Sequence, residues 1–141
     1  MSVAAVLAFR WDGKRSRLFF RMKPDSYNTE SLIGFLEDLR REFHGKKCLL
    51  VWDGLAAHKS REMTAYLTEQ KGWLTVERLP GYTPDLNPVE PLWGNIKRLE
   101  LANRCAVDLG ESCGAVRRGM NRVRRRRGLA FAFLHHAGLF F

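Results

Sequence analysis

Apolar positions open the chain in a strand-like pattern. Val3 to Phe9 is an unbroken apolar run, suited to a strand buried on both faces. Asp12-Gly13 is a turn signal and Arg17 to Met22 reads as the returning strand, so the two predict a hairpin. The period then changes. Leu32, Ile33, Phe35, Leu36, Leu39 and Phe43 recur at helical spacing behind Asn28 or Thr29, either of which can cap the helix. Cys48 to Trp52 is a short apolar strand, read as buried, that ends at Asp53. Ser60 can cap a second helix with Met63, Tyr66 and Leu67 on its apolar face, and Trp73 to Leu79 reads as another strand. Pro80, Pro84 and Pro88 punctuate a loop. Asn87 then caps a helix with Pro88 at its first position, where a missing N–H costs nothing, and this helix carries Trp93, Ile96 and Leu99. A further helix is expected from about Val107 through Arg124, followed by a short apolar tail that packs back. A hairpin followed by alternating helices and strands predicts an α/β domain with a mixed sheet.

Composition narrows the field. With 141 residues, 45% hydrophobic and 28% charged, the chain has globular proportions and the length of one domain. No apolar run reaches the roughly 18 residues of a membrane span, and the N-terminus does not read as a signal peptide. Cys48, Cys105 and Cys113 are odd in number and lack paired spacing, which argues against a disulfide framework or a zinc knuckle. Free thiols in a reducing, cytoplasmic setting are the expectation.

The net charge of +9 is concentrated. Residues 1–96 carry 14 basic and 12 acidic side chains, whereas residues 97–127 carry 10 and 3. Within the latter stand Lys97, Arg98, Arg117, Arg118, Arg122 and the run Arg124, Arg125, Arg126 and Arg127. A solvated helix face is the plain reading of a charge cluster. Seven arginines in eleven residues favour contact with nucleic-acid phosphates, which guanidinium groups meet with two hydrogen bonds at once.

Two carboxylates stand out by position. Asp53 lies directly after a strand, at the end of an α/β sheet where ligand sites gather. Glu90 lies at the start of a helix aimed by a stiff loop. Each has a plainer alternative: Asp53 can start a turn with Gly54, and Glu90 can form a capping box with Asn87. If they converge, such carboxylates suit Mg²⁺, which prefers oxygen ligands.

The string VWDGLAAHKS, followed by WLTVERLPGYTPDLNPVEPLWGNIKR, resembles the DDE transposases of bacterial insertion sequences related to mariner. The ending FLHHAGL is also similar to family members. The resemblance implies a ribonuclease-H-like mixed sheet with flanking helices. It implies that Asp53 and Glu90, separated by 36 residues, are the second and third catalytic acids and ligands of two Mg²⁺ or Mn²⁺ ions. It makes His58 and Asn87 supporting residues, with Trp93 packed beneath Glu90. Gly54 departs from the family, which commonly has Asn there.

In that family the first acid lies on the first, central strand, which the pattern places before residue 1. Asp12 and Asp25 match no motif position. The expectation is therefore a truncated catalytic domain in residues 1–103 and a basic helical extension in 104–141, with the central strand missing and sheet edges left bare. DNA is the expected partner, an upstream-encoded fragment supplying the strand a second, and a homodimer is compatible with the sequence. A catalytically inactive DNA-binding remnant is the alternative, and an RNA-binding protein a weaker one that gives no account of the Pro-Asp-Leu-Asn-Pro-Val-Glu segment.

Overall fold

The computed structural model of the chain describes residues 1–81, 83–102 and 109–139. They divide into two compact units, one built from Val3–Met22 and Pro84–Phe141 with Met1, the other from Lys23–Thr83 with Ser2. Cys105 and the expected helix start at Val107 lie outside the described residues.

In the first unit, β1 (Ser2–Phe9) pairs with β2 (Ser16–Lys23). So short a connection permits only an antiparallel pair. Arg10 N donates to Arg15 O at 2.9 Å and Gly13 N to Arg10 O at 2.9 Å, with Gly13 at φ 72°, where a glycine is favoured. The expectation of a strand buried on both faces fits β2 better than β1. Leu18, Phe19 and Phe20 are all buried, whereas β1 is half-buried throughout.

Among the described residues, this unit also holds a short 3-10 turn (Pro84–Leu86), α4 (Val89–Ile96), a π-helical turn (Lys97–Leu101), α5 (Leu109–Arg125) and α6 (Arg127–His136). Their apolar faces bury Leu92, Ile96, Val116, Met120, Val123 and Phe133 against Leu18 and Phe20. The apolar tail expected to pack back is α6, with Ala130, Phe133, Leu134 and Ala137 buried. The expected apolar face of α4 needs one correction. Leu99 is 55% exposed, because the wider π turn rotates it away from the stripe that buries Leu92 and Ile96.

Gly119, inside α5, is buried for a packing reason. A Cβ there would meet Glu100 Oε2 at 2.8 Å and Ile96 Cγ1 at 3.1 Å. Alanine is the better helix former by about 1 kcal/mol, yet Gly119→Ala is expected to lower stability by about 1–3 kcal/mol through overpacking. Urea denaturation monitored by circular dichroism checks the sign.

In the second unit, α1 (Thr29–Glu42) starts at Asn28, whose side chain accepts from Ser31 N while Ser31 Oγ receives Asn28 N at 2.8 Å. Its face of Phe35, Leu36 and Leu39 is buried, as its periodicity predicts. β3 (Cys48–Trp52) is followed by a single helical turn, α2 (Ala56–Lys59), then α3 (Arg61–Glu69) capped by Ser60, then β4 (Leu74–Arg78). β3 and β4 run parallel in the register Cys48↔Leu74 to Trp52↔Arg78. Met63, Trp73 and Leu74 join the α1 residues as the buried apolar side chains described in this unit.

Among the described residues β1 pairs only with β2 and β3 only with β4. The strand Cys48–Trp52 is not the buried run read from its sequence: Leu49 and Val51 are 64% and 51% exposed. Side chains alternate across a pleated strand, and only one face of β3 is covered. Cys48 and Cys113 are free thiols, and burial pushes the Cys48 thiol above its ordinary range. No helix among the described residues is long and apolar enough to cross a membrane.

Candidate functional site

The parallel ladder runs to the last residue of β3, where Leu79 N donates to Trp52 O at 2.8 Å. Asp53 is thus delivered just beyond the C-terminal edge of the β3–β4 pair. Its side chain is 48% exposed. Oδ1 accepts from Leu55 N at 3.3 Å, so the turn read from Asp53-Gly54 does form. The chain then coils once through α2 and brings His58 back onto it. His58 Nδ1 lies 2.8 Å from Asp53 O and 3.1 Å from Asp53 Oδ1. A carbonyl oxygen only accepts, so Nδ1 carries the proton. The imidazole also stacks on Trp52, ring centroids 4.0 Å apart and planes at 4°. The nearly buried histidine therefore fixes one oxygen of Asp53 and leaves Oδ2 without a partner among the described residues. Gly54 gives room to Lys59, whose Cε would lie 3.0 Å from an added Cβ.

Glu90 is placed by a chain of local bonds in the first unit. Asn87 N donates to Pro84 O at 3.0 Å, Val89 N to Asn87 Oδ1 at 3.1 Å, and Glu90 N to Asn87 O at 3.1 Å. A capping box would need the Glu90 carboxylate to receive Asn87 N, and that donor is already engaged by Pro84. The carboxylate of Glu90 is exposed in the first turn of α4, with no partner among the described residues. Trp93 is partly buried against the core of the same unit. Among the described residues, no three His, Cys, Asp or Glu side chains gather as a metal site would require.

The basic residues fall into distinct settings. On α5, Arg117 and Arg118 are exposed on the side away from the buried Val116, Met120 and Val123. Arg125, Arg126, Lys97 and Arg98 are exposed as well. Arg122 is different. Its Nε donates to Glu100 Oε1 at 2.6 Å and its Nη2 to Glu100 Oε2 at 3.1 Å, and Nη2 also reaches Asn95. Arg124 lies between, donating to Leu18 O at 3.3 Å with its guanidinium 4.9 Å above Phe20. The side chain of Arg127 lies outside the described residues. Glu100 escaped the sequence reading, since a partner 22 residues away leaves no local signal.

The architecture is that of a ribonuclease-H-like α/β domain, as likeness to solved structures shows. The chain is similar to the catalytic domain of Mos1 mariner transposase, at 12% identity and a TM-score of 0.56, over 99% of this chain and 83% of that one. Structures of the Mos1 transposase catalytic domain and raltegravir with Mg (15% identity, TM-score 0.55) and with Mn (13%, 0.54) match over 99% of this chain and 83% and 84% of theirs. No curated protein sequence matches the chain. Residues 5–111 match the family described as DDE superfamily endonuclease, and the chain belongs to that family.

Proposed function

We propose that this chain is the C-terminal part of a DNA transposase, in which Asp53 and Glu90 are two of three carboxylates that hold Mg²⁺ or Mn²⁺. Residues 1–103 form its catalytic domain and residues 104–141 a basic helical extension. The observation that carries the reading is Asp53 at the C-terminal edge of a parallel strand pair, held through one oxygen by His58 with the other uncommitted. Glu90, freed from capping Asn87, supports it.

The donors suit the group. Both acids offer hard oxygen to water, and a hard dication takes one or two carboxylates and keeps several waters. When bound, a pair of such ions activates a nucleophile and stabilises the leaving oxygen of a phosphodiester. The intact enzyme would cut transposon ends and join the freed 3′-hydroxyl to target DNA. In this chain His58 orients Asp53 by holding Oδ1, and Asn87 sets the helix start that carries Glu90. Arg117, Arg118, Arg125 and Arg126, with Lys97 and Arg98, hold DNA phosphates. Arg122 and Arg124 support that face through the contacts that anchor α5. The first acid would come from a strand encoded upstream, on this polypeptide or another.

A second reading is a DNA-binding remnant without catalysis, which the exposed arginines of α5 would serve with no metal at all. Nicking of supercoiled DNA with Mg²⁺ or Mn²⁺ separates the two. The 141-residue chain should leave the DNA intact, and the chain extended by an apolar strand ending in Asp should relax it. If the extended chain is also inert, the remnant reading stands. Cleavage by the unextended chain, lost in Asp53→Ala, would refute the remnant reading and remove the need for an upstream acid. For the DNA face, the slope of log affinity against log salt should fall by about 2 when Arg117 and Arg118 are both changed to alanine.

A further inference from the structure

At the tip of the β1–β2 hairpin, Trp11 is 85% exposed, the most exposed of the large hydrophobic side chains described. Its setting is basic: Arg10, Lys14 and Arg15 are all exposed around it. One acid, Asp12, lies in the same turn, but both of its oxygens are committed. Oδ1 receives Lys14 N at 3.0 Å and Oδ2 meets Arg10 Nε at 3.2 Å. The turn is closed beneath by the Arg10–Arg15 and Gly13–Arg10 backbone bonds. At its foot, Phe9 packs edge-on against Phe131 of α6, centroids 5.4 Å apart. The tip is thus a braced loop that presents one large aromatic ring among cations.

We propose that this tip is a base-stacking finger: Trp11 stacks on an unpaired or unstacked base of DNA while Lys14 and Arg15 hold the flanking phosphates. The inference rests on DNA being the substrate, and adds a contact site apart from Asp53, Glu90 and the arginines of α5. A lone apolar ring is too small for a protein-docking patch, which requires contiguous apolar area. Each nucleobase offers a flat π face, and each linkage an anionic oxygen, so ring and cations are matched by the same ligand. The braced turn keeps the ordering cost of contact low.

The test uses the full chain and two DNAs of equal length, one fully paired and one with an unpaired thymine. Affinity is read by anisotropy of labelled DNA, and stacking by quenching of tryptophan fluorescence. Wild type should prefer the unpaired site, with quenching. Trp11→Ala should weaken binding to that site by about tenfold, within the range for one stacked base. It should abolish most of the quenching and leave the paired duplex within about twofold. Trp11→Phe should keep most of the affinity. So exposed a side chain can be changed without unfolding the protein, which circular dichroism verifies.

An equal loss on both DNAs, or none on either, would overturn the finger. So would a Trp11→Ala protein that binds DNA as before but sediments as a smaller species, which would make the tip a contact between copies. If wild type binds neither DNA, the DNA reading itself falls. If it binds both and Trp11→Ala changes nothing, only the finger does.

Discussion

In the chain extended by an N-terminal strand that ends in an acid, Asp53→Asn and Glu90→Gln are each expected to slow Mn²⁺-dependent nicking by about three orders of magnitude, from the several kcal/mol that metal stabilisation of developing charge supplies. Both substitutions keep shape and remove charge. The amide introduced by Asp53→Asn retains an oxygen that can accept from Leu55 N, as Asp53 Oδ1 does at 3.3 Å, so the turn before α2 should survive. Glu90→Gln alters a side chain that is exposed and unbonded among the described residues, so α4 should be untouched. Loss of rate without loss of stability therefore isolates the metal role. Conversion of supercoiled to relaxed plasmid gives the rate, and thermal unfolding gives the control. If either variant retains a tenth of the parent rate, that carboxylate is not a ligand.

Among the described arginine side chains, Arg122→Ala is expected to be the most damaging substitution, at about 3 kcal/mol, because it leaves a largely buried carboxylate without its counter-charge. The Arg122 and Glu100 side chains are only 24% and 13% exposed, and the fork contact uses both carboxylate oxygens. Asn95 loses its bond as well. Against a typical total of about 5–15 kcal/mol, that is a large fraction. Arg117→Ala and Arg118→Ala, on the open side of α5, should change stability by no more than about 0.5 kcal/mol. Urea denaturation of the three proteins gives the ranking. A double change of Arg122 and Glu100 to apolar residues should recover part of the loss, since both charges then leave together.

Much of the fold could be read in the sequence where the determining chemistry is local. Asn28 and Ser60 mark helix starts because their side chains reach a backbone N–H three residues on. The strands from Ser2, Ser16, Cys48 and Leu74 follow apolar runs bounded by turn residues. The family motif marks His58, five residues after Asp53, as a supporting residue without saying what it touches; its contact with Asp53 is visible only in the structure. What could not be read depends on distant partners or on coverage. The single turn of α2 is too short to show a period. Glu100, in the π turn at Lys97–Leu101, finds its partner Arg122 22 residues away. The exposure of Leu49 and Val51 depends on what covers β3, which an apolar run alone does not reveal.

The division of labour among the arginines of α5 also sets how the gene can drift. Arg117, Arg118 and Arg125 present charge to the outside, and a lysine presents nearly the same charge, so codon changes between the two should be silent in the folded protein. Arg122 answers a two-pronged carboxylate and an amide with a planar fork, which the single ammonium of lysine cannot reproduce. Within one basic helix, then, neighbouring codons of the same amino acid are under different constraints: folding holds position 122 to arginine, whereas positions 117, 118 and 125 answer only to the DNA they contact.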